Sequence, residues 1–162
     1  MAAVDYFLKL DGIDGESQDS KHKDSIQIES WSWREENAGS HSSGTGGGAG
    51  KVSMGDFGFT MHVNKASPKL LLACASGQHI KSGLLTCRKA GKDQQEYLKI
   101  KFTDLLVSSY HTGGSSGDNV VPVDEIAINF AKIEYEYTPQ KADGTLGTKV
   151  PVHWDLKTNK GG

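Results

Sequence analysis

Apolar residues recur at every second position over most of this chain. Tyr6, Leu8 and Leu10 alternate with Phe7 and Lys9, and a second alternating run extends from Ser25 to Trp33. Phe57, Phe59, Met61 and Val63 share one face, opposite Gly58, Thr60 and His62. Residues 84–88, 97–107, 126–137 and 150–156 continue the pattern. A period of two belongs to strands with one face buried. Strands separated by turn signals such as Asp11-Gly12 and Asp14-Gly15 predict a sandwich or barrel.

Three of these strands change parity. Ile26 and Ile28 lie on one face, Trp31 and Trp33 on the other. Leu98, Ile100 and Phe102 give way to Leu105 and Val107, and Ile126, Ile128 and Phe130 to Ile133, Tyr135 and Tyr137. A strand absorbs such a shift only through a bulge or a change of buried face. The expectation is either strongly bent strands, or strands that bury one end in their own core and the other against a neighbouring subunit.

One segment follows another period. Ser67-Pro68 and Gly77 bracket a helix over about 67–77, with Ser as N-cap, Pro in the first turn and Gly at the exit. Leu70, Leu71, Cys74 and Ala75 form its expected apolar stripe. Such a helix suits the open end of a barrel. The polar stretch 112–119 reads as a mobile loop.

Between two strand-like runs lies AGSHSSGTGGGAG, residues 38–50. Its end resembles a phosphate loop, but the pattern needs a Gly where Thr45 stands and a Ser or Thr where Val52 stands. A strand, not a helix, is expected to follow, so no helix N-terminus is there to hold phosphate. The match to a dinucleotide fingerprint lacks the strand–turn–helix context.

Composition narrows the function classes. The chain of 162 residues fits one domain, 1–162, and its hydrophobic content of 36% with 20 glycines is low enough to anticipate burial against a partner chain. Net charge is −2 with lysines scattered, and Arg34 and Arg88 are the only arginines, which argues against nucleic-acid binding. Cys74 and Cys87 lack metal spacing and read as small buried residues rather than a disulfide. The six histidines, His22, His41, His62, His79, His111 and His153, form no metal or catalytic constellation. Ser108 and Ser109 lack a nucleophile elbow. Trp31 and Trp33 read as core fillers before a sugar platform. No catalytic, metal or cofactor residue is expected, and no enzyme activity. The N-terminus has Asp5 and Lys9 where a signal peptide needs an apolar core, so cytoplasmic synthesis without the general secretory route is expected. No run approaches membrane-spanning length. The residues alone point to a binding or assembly protein.

Several strings together narrow this further: DYFLKLDGIDGES, WSW at 31–33, the glycine loop ending GAGKV, SPKLLLACASGQH, RKAG at 88–91, YLKIKF, LVSSYHTGGS and YTPQKADG. In this order they resemble the haemolysin-coregulated proteins of bacterial type VI secretion systems, across about 4–154. The resemblance implies a mainly β fold: a compact β-barrel of two packed, largely antiparallel sheets with one short helix and an extended loop at 38–50. It implies hexameric rings stacked into a hollow tube inside a contractile sheath, tipped by a spike and carrying effector proteins in the lumen. The tube protein waits in the cytoplasm and is secreted without a signal peptide. Because the sequence stops soon after Trp154, the plain tube form, with no appended toxin domain, is expected.

By position, the extended loop matches the family's inter-subunit and inter-ring contact. It comprises Gly39, Ser40, His41, Ser42, Ser43, Gly44, Thr45, Gly46, Gly47 and Gly48. Its composition predicts mobility in a lone subunit and order on contact. With Trp31 and Trp33 turned to the core, Ser30 and Ser32 face outward and are the expected lumen- and cargo-facing residues. A phage-like tail tube protein and a small carbohydrate-binding barrel are the alternatives.

Overall fold

The alternating segments fold as strands in the computed structural model, which describes residues 4–39, 50–89, 93–117 and 121–162. The elements are β1 Val4–Leu10, β2 Ile26–Ile28, β3 Ser30–Ser32, β4 Glu35–Asn37, β5 Val52–Met54 and β6 Phe57–His62, then the helix α1 Ala66–Ser76. β7 Ile80–Lys89, β8 Glu96–Gly113, β9 Val123–Tyr137, β10 Val150–Asp155 and β11 Lys160–Gly161 follow. All strand pairings among the described residues are antiparallel.

The main ladder runs β11-β10-β9-β8-β7-β1-β2, while β3 pairs with β6 and β6 with β9. Because β3 continues β2 across a bend at Glu29, the path of strands returns to β9 and wraps a barrel around one core. Phe57, Phe102, Leu8, Ile100 and Ile128 are fully buried there. Aromatic rings run through it, Phe57 to Phe102 at 4.8 Å between centroids and Phe102 to Phe130 at 5.0 Å. The β4–β5 hairpin is a separate arm.

The parity shifts occur at kinks, and in two of the three the strand also changes its neighbour there. β2 pairs with β1 and β3 with β6, so the bend at Glu29 marks a change of neighbour. In β8, Asp104 adopts a left-handed φ of 51° between the buried Phe102 and Leu105. In β9, residues 123–128 pair with β6 and 132–137 with β10, and at the changeover Leu156 N donates to Ala131 O at 2.9 Å. Apolar residues on both sides of the kinks in β8 and β9 enter the same core. For Leu105, Val107 and Ile133 no second subunit is needed, whereas Tyr135 and Tyr137 stay exposed.

The helix starts a little earlier than its sequence signals. Asn64 Oδ1 accepts from Ala66 N at 2.8 Å, and Ser67 Oγ accepts from Asn64 N at 3.0 Å. Ser67 is thus not the cap. It is buried inside the first turn, where its hydroxyl donates to Asp124 Oδ2 at 2.6 Å and ties α1 to β9. Gly77 closes the helix with a φ of 66°, a conformation that costs glycine little. The buried stripe is Ala66, Leu70 and Ala73 with Ser67; Leu71 and Ala75 are exposed and Cys74 is half-buried.

Two further expectations change. Asp14-Gly15 is not a turn: a Cβ on Gly15 would lie 2.5 Å from Ser25 O, so glycine there permits close passage of two chain segments. Thr112 and Gly113 belong to β8, paired with Asp124 and Val123, rather than to a loop.

The segment between β1 and β2 is held by Arg88, which is only 3% exposed. Its Nη2 donates to Asp5 Oδ2 at 3.0 Å and Asp19 Oδ2 at 2.8 Å, and its guanidinium lies 4.8 Å from the Phe7 ring centroid. That hydrogen bond from Arg88 lowers the Asp19 carboxyl to about 2. His22 stacks on Phe7 at 4.5 Å and meets Glu96 Oε1 at 2.6 Å. Arg88 is therefore a structural ion-pair residue. Cys74 and Cys87 are both free, and burial raises the Cys87 thiol to about 12, so it stays protonated.

Candidate functional site

The outward side of β3, β6, β9 and β8 is the first candidate surface. Register places Ser30 beside Thr60, Thr60 beside Glu125 and Glu125 beside His111. The next row is Ser32, Gly58, Ala127 and Ser109. Alternation produces this face: the intervening Phe57, Phe59, Ile126 and Ile128 are buried, so their strand neighbours point out.

Ser30 and Ser32 are both exposed, as their opposition to Trp31 and Trp33 predicts. Trp31 and Trp33 are half-buried and pack on the core, Trp31 stacked on Phe57 at 5.9 Å and Trp33 against Phe130 at 6.2 Å. Trp33 also donates from Nε1 to Gly55 O at 2.9 Å. Both therefore brace the core, as expected, while Trp31 also keeps an edge on the depression beside Ser30 and Ser32.

The face is shallow and carries small groups. Ser30 Oγ and Thr60 Oγ1 share a hydrogen bond of 2.6 Å. His111 lies 3.7 Å from Glu125, and His62 lies 3.5 Å from Glu29. Asp56 accepts from Ser108 Oγ at 2.6 Å and from Asn129 Nδ2 at 2.9 Å. The residues lining the depression around Ser30 and Ser32 include no lysine or arginine. Such a surface can form many weak hydrogen bonds, and among the described residues no group of three or more His, Cys, Asp or Glu is placed to hold a metal ion. The sequence weighs Ser109 and His111 only as catalytic or metal candidates, and gives no signal for Glu125. The polar alternation Gly58, Thr60, His62 was the available signal; its pairing to β9 and β8 was not.

The second candidate is the arm. Glu35 pairs with Met54, Glu36 with Ser53 and Asn37 with Val52. Asn37 Nδ2 donates to Gly50 O at 2.7 Å, closing the base across which the glycine-rich segment departs. Gly39 is exposed and donates to Asn37 O at 2.9 Å. Ser40, His41, Ser42, Ser43, Gly44, Thr45, Gly46, Gly47 and Gly48 lie outside the described residues. The strand after the glycine run, β5, is the one expected in place of a phosphate-binding helix. β4 and β5 escaped the sequence pattern because Glu35, Glu36 and Asn37 are all exposed and show no apolar alternation. No helix is long and apolar enough to cross a membrane among the described residues.

Known proteins share this architecture. Residues 7–137 match the family described as type VI secretion system effector, Hcp. The chain is 43% identical over 159 residues to Protein hcp1 of Pseudomonas aeruginosa, covering 97% of this chain and 98% of that one. A solved structure of a type six secretion system protein superposes with a TM-score of 0.94 at 35% identity, over 99% of this chain and 100% of the other. Hcp1 from Salmonella typhimurium superposes with a TM-score of 0.81 at 36% identity, over 99% of both chains. Sequence and fold thus agree along nearly the whole length, and the chain belongs to the Hcp family, structural and non-enzymatic proteins of the type VI secretion system.

Proposed function

We propose that this chain, acting as one tube-forming domain over 1–162, assembles into hexameric rings that stack into the hollow inner tube of the secretion machine. Effector proteins travel in the lumen, a spike caps the tube, and a contractile sheath drives it out of the cytoplasm into the surroundings or a target cell. The carrying observation is the outward face of β3, β6, β9 and β8. It is rich in small Ser, Thr, Gly and Ala side chains, with Glu125 beside His111 and with no lysine or arginine lining it. A wall of this kind holds passengers weakly by many small contacts and releases them.

Native mass and negative-stain microscopy of the purified chain test the assembly. Rings of six with an open centre are expected; a monomer at micromolar concentration would overturn the reading. Within the ring, Ser30 and Ser32 face the lumen. Ser32→Gln is expected to reduce co-purified effector while leaving the ring mass unchanged, and undiminished cargo would remove Ser32 from the lumen. The arm makes the contact between subunits or stacked rings. Deleting residues 40–48 is expected to leave a folded domain that stacks poorly, and normal tubes from that variant would count against the arm. A phage-like tail tube function is the second reading, since the same barrel and face would serve it; secretion by a type VI machine separates the two.

A further inference from the structure

Two imidazole–carboxylate pairs flank the small polar groups of the outward face. His111 of β8 meets Glu125 of β9 at 3.7 Å, and His62 of β6 meets Glu29 at 3.5 Å. Thr60 stands between the pairs. Its carbonyl accepts from Glu29 N at 2.8 Å, its hydroxyl shares a hydrogen bond of 2.6 Å with Ser30, and its β9 neighbour is Glu125. Strand register therefore sets both pairs beside the patch proposed to touch passengers, and His111 and Glu125 line its depression.

The charge of this patch is one-sided. Glu29, Glu125 and Asp56 are its carboxylates, and none of them pairs with a lysine or arginine among the described residues. Arg34, beyond β3, pairs with Glu36. Helix α1 packs on β8, and the lysines at its start, Lys65 and Lys69, pair with none of the three carboxylates. The titratable groups on the inner side are Tyr110, packed against the core, and Asp124, buried beneath Ser67. Histidine is the side chain whose charge changes between about pH 8 and 5, a range over which aspartate and glutamate keep theirs. With both histidines neutral the patch carries three negative charges; with both protonated it carries one, because each imidazolium faces a carboxylate. A ring repeats the patch around a closed wall, where fields of one sign add and draw counter-charges inward.

We infer that this wall selects passengers whose surface is rich in lysine and arginine, and that protonation of His62 and His111 releases them. At neutral pH the carboxylates of Glu29 and Glu125 are open to ammonium and guanidinium groups of the passenger. Once charged, each imidazolium competes for the carboxylate it already faces, and the passenger's cation is displaced with no change of fold. His111 carries the larger share, because its pair lines the depression and the His62 pair does not. The inference rests on the lumen reading above and names the class of passenger and the trigger of its release.

The test uses the full chain and a fluorescent oligolysine peptide, with oligoglutamate as the control. Native mass is measured first; a monomer overturns the lumen reading and this inference with it. On assembled rings in low salt, oligolysine is expected to bind about tenfold more tightly at about pH 7.5 than at about pH 5.5. Oligoglutamate is expected not to bind at the higher pH. Glu29→Gln with Glu125→Gln should lose about tenfold in oligolysine binding at the higher pH. His62→Gln with His111→Gln should bind as tightly as the wild type there and lose the response to pH. Where that double variant does not assemble, His111→Gln alone, at a fully exposed position, should remove the larger part of the response. Rings that bind oligolysine equally at both pH values, or a response that survives the loss of His111, would overturn the inference and leave the ring reading intact. Beads carrying oligolysine on tethers too short to enter a lumen should not retain the rings. Retention that depends on Glu29 and Glu125 would place the face outside the ring, overturning the lumen reading and the passenger claim together.

Discussion

The two halves of β9 carry the same alternating pattern and meet different fates. In the first half, Ile126, Ile128 and Phe130 are buried, because β6 closes the barrel over them. In the second half, Ile133 is buried but Tyr135 and Tyr137 are exposed, and so are their β10 partners Val152 and Val150. On the other side of β9, Leu98 and Ile100 of β8 occupy the same rows and are buried. Burial therefore fades from β8 to β10 across one continuous sheet. Alternation states which side of a strand is apolar; it does not state what covers that side. The uncovered half forms one wall of a groove under the arm, with Val52 and Met54 opposite.

The comparison is most strongly tested in the barrel half. Ile128→Ala is expected to lower the free energy of unfolding by about 2–5 kcal/mol, since the buried site cannot fully collapse. Urea denaturation of a dilute sample measures it, and a loss below about 1 kcal/mol would mean the half is not rigidly closed.

Next is the Arg88 lock, independent of both halves. The folded Asp19 carboxyl lies at about 2 against an ordinary 3.8. Its stabilisation is therefore fully present above pH 3.8 and is lost as the pH falls toward 2. Allowing for solvent screening, it contributes about 1 kcal/mol at neutral pH. The stability gap between the wild type and Asp19→Asn should close over that window; a gap constant from neutral pH to 2 would separate Asp19 from the lock.

In the wing half, Val152→Ser should cost the isolated chain less than about 1 kcal/mol, because the side chain is already half in water. Equal losses for Ile128→Ala and Val152→Ser in the monomer would erase the distinction between the halves. The smallest effect is expected on the outward face, where Ser32→Gln should alter stability by no more than about 0.5 kcal/mol. A larger thermal shift would show that Ser32 supports the fold.

Much of the fold was legible. β1, β2, β6, β7, β8, β9 and β10 all follow runs of alternating residues. Gly77 marked the end of the helix correctly because only its left-handed conformation was needed. The helix start was misread because Ser67 binds Asp124, a partner 57 residues away, instead of capping locally. The apolar stripe was misassigned because α1 has apolar residues all round and periodicity could not choose between the sides. Ser30 and Ser32 were legible as outward residues through their tryptophan neighbours. The rest of that face was not, since Thr60, Glu125 and His111 come together only through strand register.

By itself the sequence determined the strand-rich fold, the single helix, the outward serines and, through its ordered strings, the Hcp family. Local steric and hydrophobic preferences are enough for the first three, because a strand needs only its own pattern to choose its apolar side. Tertiary structure decided where strands exchange neighbours, at Glu29 and between Ile128 and Lys132. It also decided which apolar residues this chain leaves uncovered. Leu71, Leu72, Tyr135 and Val152 look like core in sequence and are exposed in the fold. Coverage depends on what packs above a residue, and that is set by elements distant in the chain.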